Sequence, residues 1–394
     1  MPDFLHGIEV IEIDNGTRPI STVASSMIGF VGTAPDADAA LFPADMPVLI
    51  AGPRQAAALG AAGTLLDAYQ QAYAEGVSTM VVVRVTAGAT PAETKAAVIG
   101  SATAGTGIWA LMNARPLLGV TPRILAAPGH SANAPGATEA SPVATALIAL
   151  AERLKGAAVI DGPNTTEAAA AADVELYGSH RILYCDPAVR VWDRAAGAIV
   201  TRPYSSSAAG ALSFSDATRG FWHSHSNIVL KGIVGTARPI GFAISDPETE
   251  ANRLNKMGIT TIVNQNGFRT WGNRTPGADA NWAFLSVRRT ADMIYDSIDA
   301  AMLWAMDRPF GEQLLRDIRD SVKAYITTLV TRGALLGGDC WLDPELNTEA
   351  TLKAGHLYLD FDIEPPAPLE RLTFRAFRNG SYYDELVSAV AAVS

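Results

Sequence analysis

The chain has 394 residues, 30 of them basic and 40 acidic, for a formal net charge of −10. Its length leaves room for two or three domains, and an apolar fraction of 48% against a charged fraction of 18% excludes a disordered chain. The acidic balance excludes a protein built mainly to coat nucleic acid or anionic lipid. The low charge means that much of the surface is uncharged, either as subunit contacts or through small Ala and Gly residues. No apolar run is long enough to cross a bilayer, and Met1-Pro2-Asp3-Phe4 does not read as a secretory leader. Cys185 and Cys340 stand far apart and outside any CxxC pair, as structural thiols of a cytosolic protein.

In chain order, Gly7–Ile13 comes first as a β-branched strand with Ile8 and Val10 on one face and Ile11 and Ile13 on the other. The turn at Asp14-Asn15-Gly16 and the extended Arg18-Pro19 isolate it, so it must join a sheet in its own chain or in a neighbour. From Ser26 to Asp186 apolar runs alternate with Ala-rich helical stretches. The strands are expected at Met27–Val31, Val48–Ile50, Met80–Val85, Ile124–Ala127, Ala157–Ile160 and Arg181–Cys185. Leu65–Ala74, Pro142–Leu154 and Thr166–Leu176 are expected as helices, and Pro128 to Pro142 as an exposed loop. This spacing predicts βαβ units and a mainly parallel sheet covered on both faces.

Ser205–Gly210 reads as a domain junction. Beyond it, Asp246 with Pro247 is expected to cap a helix that stops at Gly258, and Thr290 to cap a second. A third helix runs from about Gly311 to Arg332, with Leu315, Ile318, Val322, Tyr325 or Ile326, and Leu329 inward and Arg316, Arg319 and Lys323 outward. Leu357, Leu359, Phe361 and Ile363 then alternate with polar residues, as do Leu372, Phe374 and Ala376, giving two half-buried strands around Pro365–Pro368. After Asn379-Gly380 an apolar tail from Leu386-Val387 to Val393 has no core of its own. Sheet-forming segments therefore stand detached at both ends.

The chemistry-bearing patterns are weak. Gly32-Thr33 and Gly235-Thr236 lack the lysine of a P-loop, and Gly105–Ala110 matches the dinucleotide fingerprint after a helix instead of a strand. His223-Ser224-His225 has no local third ligand and reads as structural histidines in an aromatic corner. Asp339, Asp343, Glu345 and Glu349 read as a solvated acidic loop, and Arg288-Arg289 as a rim at a strand end. No serine elbow is present. The pattern is that of a non-enzyme with neither cofactor nor metal.

Several runs together resemble contractile tail sheath proteins, the family of myovirus-type bacteriophage sheaths and R-type pyocin sheaths. They are His6–Val10, Ile28–Pro35, Gly220-Phe221-Trp222 with Ser226-Asn227, Asn266–Thr275 and Val287–Ile294. The resemblance spans His6 to about Phe377, and His223-Ser224-His225 departs from the Ser-Pro it leads one to expect. It implies a central, mainly parallel α/β domain at 21–204, an α+β tube-proximal domain at 205–378, and strand-donating arms at 1–20 and 379–394. The arm residues would be Ile8, Val10, Ile11, Ile13, Leu386 and Val387, and the recipient sheet would contain Leu357, Leu359, Phe361, Leu372 and Phe374.

The implied function is a structural subunit that polymerises as a helical homo-oligomer around an inner tail tube and contracts to drive the tube through the target envelope. Its implied partners are itself, the tube, the baseplate and the tail terminator, without nucleic acid or membrane insertion, in a virion assembled in the host bacterial cytoplasm. Arg316, Arg319 and Lys323 are the expected tube contacts, against the plainer reading of a solvated helix face. The alternatives are a headless injection or secretion sheath, and an α/β enzyme binding a phosphorylated ligand at the glycine turns.

Overall fold

The computed structural model of the chain describes residues 18–392. The strands are β1 (Ile28–Thr33), β2 (Pro47–Ile50), β3 (Met80–Val85), β4 (Ile124–Ala126), β5 (Ala157–Asp161), β6 (Ile182–Cys185), β7 (Val189–Asp193), β8 (Ala198–Arg202), β9 (Gly235–Thr236), β10 (Ile259–Asn264), β11 (Phe268–Trp271), β12 (Gly337–Leu342) and β13 (Leu359–Glu364). The longer helices are α1 (Leu65–Ala74), α2 (Pro91–Ile99), α3 (Pro142–Arg153), α4 (Glu167–Val174), α5 (Tyr204–Arg219), α6 (Glu250–Lys256), α7 (Leu285–Ala301), α8 (Glu312–Thr331) and α9 (Ser381–Ala391).

Eight strands form the central sheet in the order β11-β10-β6-β5-β4-β1-β3-β2, parallel except for the edge strands β2 and β11. Its inner strands are apolar on both faces because both are covered. Ile28, Phe30, Met80 and Val82 pack with α1 and α5, while Val31, Val81, Val83 and Ile160 pack with α2, α3 and α4. This is the α/β class that the sequence spacing predicts.

The expected junction at Ser205–Gly210 is instead the first half of α5, buried against the sheet. Small side chains let this helix approach closely, and its hydroxyls are spent inside: Ser205 Oγ donates to Asp161 Oδ2 at 2.6 Å and Ser213 Oγ to the Ser26 carbonyl at 2.6 Å. A linker-like composition is therefore a packing device, and the sheet continues past residue 204 through β10 and β11. Asn266 (φ 54°) and Gly267 (φ 103°) turn that hairpin, as an Asn-Gly pair readily does.

Two helix starts also differ from expectation. α6 begins after Thr249, while Asp246 accepts the Glu248 N–H at 2.9 Å in a separate turn. α7 begins at Leu285, so Thr290 lies inside it, its hydroxyl donating to the Ser286 carbonyl at 2.7 Å. α8 starts after Gly311 and ends before Gly333, as read from the sequence. A third core joins Met293 and Ile294 of α7 to Val322, Tyr325, Ile326 and Leu329 of α8, with Cys340, Leu359, Phe361 and Ile363 of the β12–β13 ribbon against it.

Candidate assembly surfaces

α7 carries Asp292, Asp296 and Asp299 four and three residues apart, hence on one helical face. The partners come from the starts of three parallel strands: Arg181 before β6 holds Asp292, Arg123 before β4 holds Asp296, and Lys155 before β5 holds Asp299. Lys155 also reaches Asp296 at 3.7 Å. Burial pushes the Arg181 guanidinium down to about 10, with Arg288 adding repulsion. Arg288 and Arg289, expected as a rim, lie on α7. Arg288 stacks on Trp282 at 4.2 Å and pairs with Asp292 at 2.6 Å, and Arg289 is buried on Asp216. The helical layer is thereby tied to the sheet by charge as well as by packing.

Both ends of the described chain have roots fixed on the body. On the N-terminal side, the Arg18 N–H donates to Ser321 Oγ at 3.0 Å, and Thr22 Oγ1 meets Tyr325 Oη at 3.0 Å. The Val23 N–H donates to Ser297 Oγ at 3.1 Å. Ile20 and Val23 pack on the third core, so residues 18–25 lie along α7 and α8. The arm residues Ile8, Val10, Ile11 and Ile13 lie outside the described residues. On the C-terminal side Arg274 holds Glu370 through two bonds of 2.7 and 2.5 Å.

Between these roots lies the antiparallel ribbon of β12 and β13. Leu359 and Phe361 face the helices, Phe361 meeting Tyr295 at 5.9 Å, and Leu357 is half-buried just ahead of β13. Asp339, Asp360, Asp362 and Glu364 lie on the other face, with Asp339 directly opposite Asp362. Among the described residues neither strand has a second neighbour. Leu372 and Phe374, expected in a strand of this sheet, join no ladder and are 64% and 86% exposed. The two strand edges that alternation predicts do not meet because Pro365, Pro366 and Pro368 keep the backbone from folding back as a tight hairpin. Leu386 and Val387, expected as extended, lie on α9, where Tyr382, Tyr383 and Val390 share their exposed apolar face. Ala, Leu and Glu favour helix there when no partner strand is present.

Of the outward basic residues of α8, Arg316 and Lys323 are exposed and Arg319 is half-buried, yet each meets a carboxylate of its own chain. Arg316 pairs with Glu312, Arg319 with Asp320 at 2.7 Å, and Lys323 with Asp339 at 2.7 Å. Sequence reasoning gave Arg371 and Arg375 only as the polar side of an alternating strand and passed over Arg378; none of the three has such a partner among the described residues. The signal was available: Arg371–Arg378 holds three arginines and no carboxylate between apolar residues.

Among the described residues no group of three or more His, Cys, Asp or Glu side chains could hold a metal ion, and no helix is long and apolar enough to cross a membrane. His225 is buried, and burial pushes its imidazole down to about 3. Cys185 and Cys340 are both buried, and burial raises both thiols, Cys340 to about 11. A cavity of about 230 Å³ lies at the ends of β5 and β6, lined by Asp161, Asn164 and Arg202. Its polar groups are already engaged: Asp161 by Ser205 and Ser131, Asn164 Oδ1 by the Ala188 N–H, and Arg202 by Asp193.

Comparison with known proteins agrees with a surface built for assembly. The family model described as phage tail sheath protein central domain matches residues 100–276, and that described as phage tail sheath C-terminal domain matches residues 278–377. The chain is 38% identical over 377 residues to a prophage major tail sheath protein of Pseudomonas aeruginosa, covering 94% of this chain and 96% of that protein. It is 33% identical over 401 residues to the tail sheath protein of Escherichia phage P2, covering 99% of each. Its fold is shared with the helical sheath of the anti-feeding prophage in the contracted state (TM-score 0.72, 19% identity, 95% of this chain and 99% of that one). The sheath of an extracellular contractile injection system, also contracted, is similar (TM-score 0.71, 21% identity, 97% and 99%). The chain thus belongs to the phage tail sheath protein family, a structural family and not an enzyme family.

Proposed function

We propose that the chain is the repeating subunit of a contractile tail sheath, polymerising around an inner tube and shortening to drive that tube through a cell envelope. The observation that carries this reading is the tail beyond Glu370, where Leu372, Phe374, Phe377, Tyr382, Tyr383, Leu386, Val387 and Val390 are all more than 60% exposed. So many apolar side chains on one segment need cover, and the open edges of β12 and β13 offer backbone pairing. In this reading Ile8, Val10, Ile11 and Ile13 of one copy and the tail of another, with Leu386 and Val387, are added to a recipient sheet containing Leu357, Leu359, Phe361, Leu372 and Phe374.

Magnitudes support strand addition through apolar segments. Ordering costs roughly 1–2 kcal/mol per residue, while each added backbone bond returns about 1 kcal/mol. Buried side chains at ~1.5–3 kcal/mol each decide the balance. Head-to-tail contacts of this kind generate helices instead of closed rings. The inner tube, the baseplate and the tail terminator are the further partners, with α8 and Arg316, Arg319 and Lys323 toward the tube and the central sheet outward. The particle is a virion assembled in the host bacterial cytoplasm. A headless injection particle is the second reading, favoured by the likeness to the anti-feeding prophage and injection-system sheaths.

Co-expression with the tube protein tests the function. Extended sheathed tubes that shorten and widen on mild denaturant support it. A protein that stays monomeric with its tube, or an assembled sheath that never shortens, contradicts it.

A further inference from the structure

Away from the chain ends, the α/β body carries two uncovered patches of opposite charge, each built around exposed apolar side chains. The first is the outward face of the β7–β8 hairpin. Directly opposite residues of an antiparallel pair share a face, so the register Arg190↔Thr201 and Trp192↔Ile199 puts these four side chains together. All four are exposed, Trp192 and Ile199 to 56% each, while Val189, Val191 and Val200 lie on the inner face. Arg194 stands at the hairpin turn. Neither it nor Arg190 forms an ion pair among the described residues, whereas Arg202 on the inner face is held by Asp67 and Asp193. Tryptophan and arginine side by side, uncovered and uncompensated, are the side chains that dominate protein interfaces.

The second patch is the loop between β9 and α6, closed by the Ala251 N–H donating to the Gly241 carbonyl at 3.1 Å. Ile244 in this loop is 84% exposed, and Asp246 and Glu248 beside it are exposed and in no ion pair among the described residues. Arg253, which donates to the Glu248 carbonyl, is held by the Glu167 carboxylate through bonds of 2.6 and 2.7 Å. The two patches stand on opposite sides of the central sheet. Val191 of the hairpin packs on the core shared with α1 and α5, whereas Ile240 and Leu254, which flank the loop, pack with α2, α3 and α4.

We infer that the outward face of the β7–β8 hairpin of one copy docks on loop 241–249 of a second copy. Arg190 and Arg194 meet Asp246 and Glu248, and Trp192 and Ile199 cover Ile244. This rests on the reading of the chain as a polymerising subunit, and adds a contact made by the α/β body instead of the chain ends. Complementary patches on opposite sides of one molecule satisfy each other between copies, in a head-to-tail contact that repeats without closing on itself. Charge also rejects the wrong pairings. Hairpin on hairpin sets arginine against arginine, and loop on loop sets carboxylate against carboxylate. The acidic face of the β12–β13 ribbon is a poorer match, because its Asp339 already holds Lys323.

The test uses full-length chains and reads the concentration at which they polymerise at about 0.15 M salt. Arg190→Glu with Arg194→Glu, or Asp246→Lys with Glu248→Lys, should each raise that concentration about tenfold, with circular dichroism unchanged. All four changes in one chain should return it to near the wild-type value. Either double variant polymerising like wild type, or a four-change chain no better than the worse double variant, overturns the inference. So does rescue of the hairpin variant by Asp360→Lys with Asp362→Lys, which would put the hairpin on the ribbon. Cysteines read the contact directly, since Cys185 and Cys340 are buried. Chains with Ile199→Cys mixed with chains with Ile244→Cys should form a disulfide between the two kinds on oxidation of the assembled tubes. A disulfide of either variant with itself, or none between the two, contradicts the docking. Wild-type chains that fail to polymerise remove the sheath reading together with this contact, whereas wild-type tubes with failed charge and cysteine tests remove the contact alone.

Discussion

The Arg289 guanidinium lies on the Asp216 carboxylate through two parallel bonds, Nη1 to Oδ1 at 2.8 Å and Nη2 to Oδ2 at 2.6 Å, with side chains 3% and 0% exposed. Nη2 also donates to the Ser25 carbonyl at 3.2 Å, so one arginine joins α5, α7 and the root of the N-terminal arm. Removing one partner strands the other charge in the interior. Arg289→Met alone is expected to cost about 3–5 kcal/mol, whereas Arg289→Met with Asp216→Leu should recover most of that loss. Denaturant titration of the two variants checks the difference. Equal losses would mean the pair acts only through packing.

The aspartates of α7 should not contribute equally. Asp296 is 17% exposed and meets both Arg123 and Lys155, while Asp299 is 67% exposed and meets Lys155 alone. Asp296→Ala is expected to destabilise by about 2–4 kcal/mol and Asp299→Ala by less than about 1 kcal/mol. Hydrogen exchange should show the loss first in α7. A uniform response across the central sheet would contradict a joint located there.

Gly210 sits where α5 crosses α1, and a Cβ there would stand 2.9 Å from the Ala72 Cα. Gly210→Ala should destabilise by about 1–3 kcal/mol although alanine favours helix by about 1 kcal/mol. Gly241, with open space around it, should tolerate alanine to within about 0.5 kcal/mol. Thermal unfolding of both variants distinguishes crowding from a general effect of losing glycine.

Two buried groups bend the pH profile in opposite directions. Burial pushes Asp161 up from 3.8 to about 6, so the folded chain keeps a proton that the unfolded chain releases, and this contribution falls as pH rises from about 4 to 6. Burial, with Arg289 and Arg219 nearby, pushes His225 down from 6.5 to about 3. The unfolded chain therefore gains a proton that the folded chain refuses, and this contribution falls as pH drops from 6.5 toward 3. Between pH 7 and 5 the histidine should cost about 2 kcal/mol and the aspartate should return about 1 kcal/mol. His225→Gln should then raise stability at pH 5 relative to pH 7, and Asp161→Asn should lower it. The same slope in both variants would contradict the assignment.

The inner strands were legible because a covered parallel sheet writes itself as apolar runs: Met80–Val85 is β3 residue for residue, and Ile124, Ala157 and Pro142 mark true element starts. The Ser-, Ala- and Gly-rich opening of α5 was not, since small residues spell both a flexible linker and a tightly packed helix, and only tertiary partners such as Asp161 separate the two. Thr290 misled for a related reason. Its hydroxyl can cap a helix or bond back to the preceding turn, and Leu285 had already started α7. At the C-terminal end alternation predicted a strand at 372–376, but the segment joins no ladder among the described residues, since alternation marks which side chains can share a face and does not supply a pairing edge. α9 shows the converse, a segment that is helical while it stands alone.

The central claim is that each copy completes a sheet with backbone supplied by its neighbours. Electron microscopy of the full-length chain beside a chain lacking residues 1–17, at matched concentration and with matched circular dichroism, tests it most directly. The account predicts helical tubes from the first and dispersed, folded monomers from the second. Indistinguishable tubes from both would contradict it.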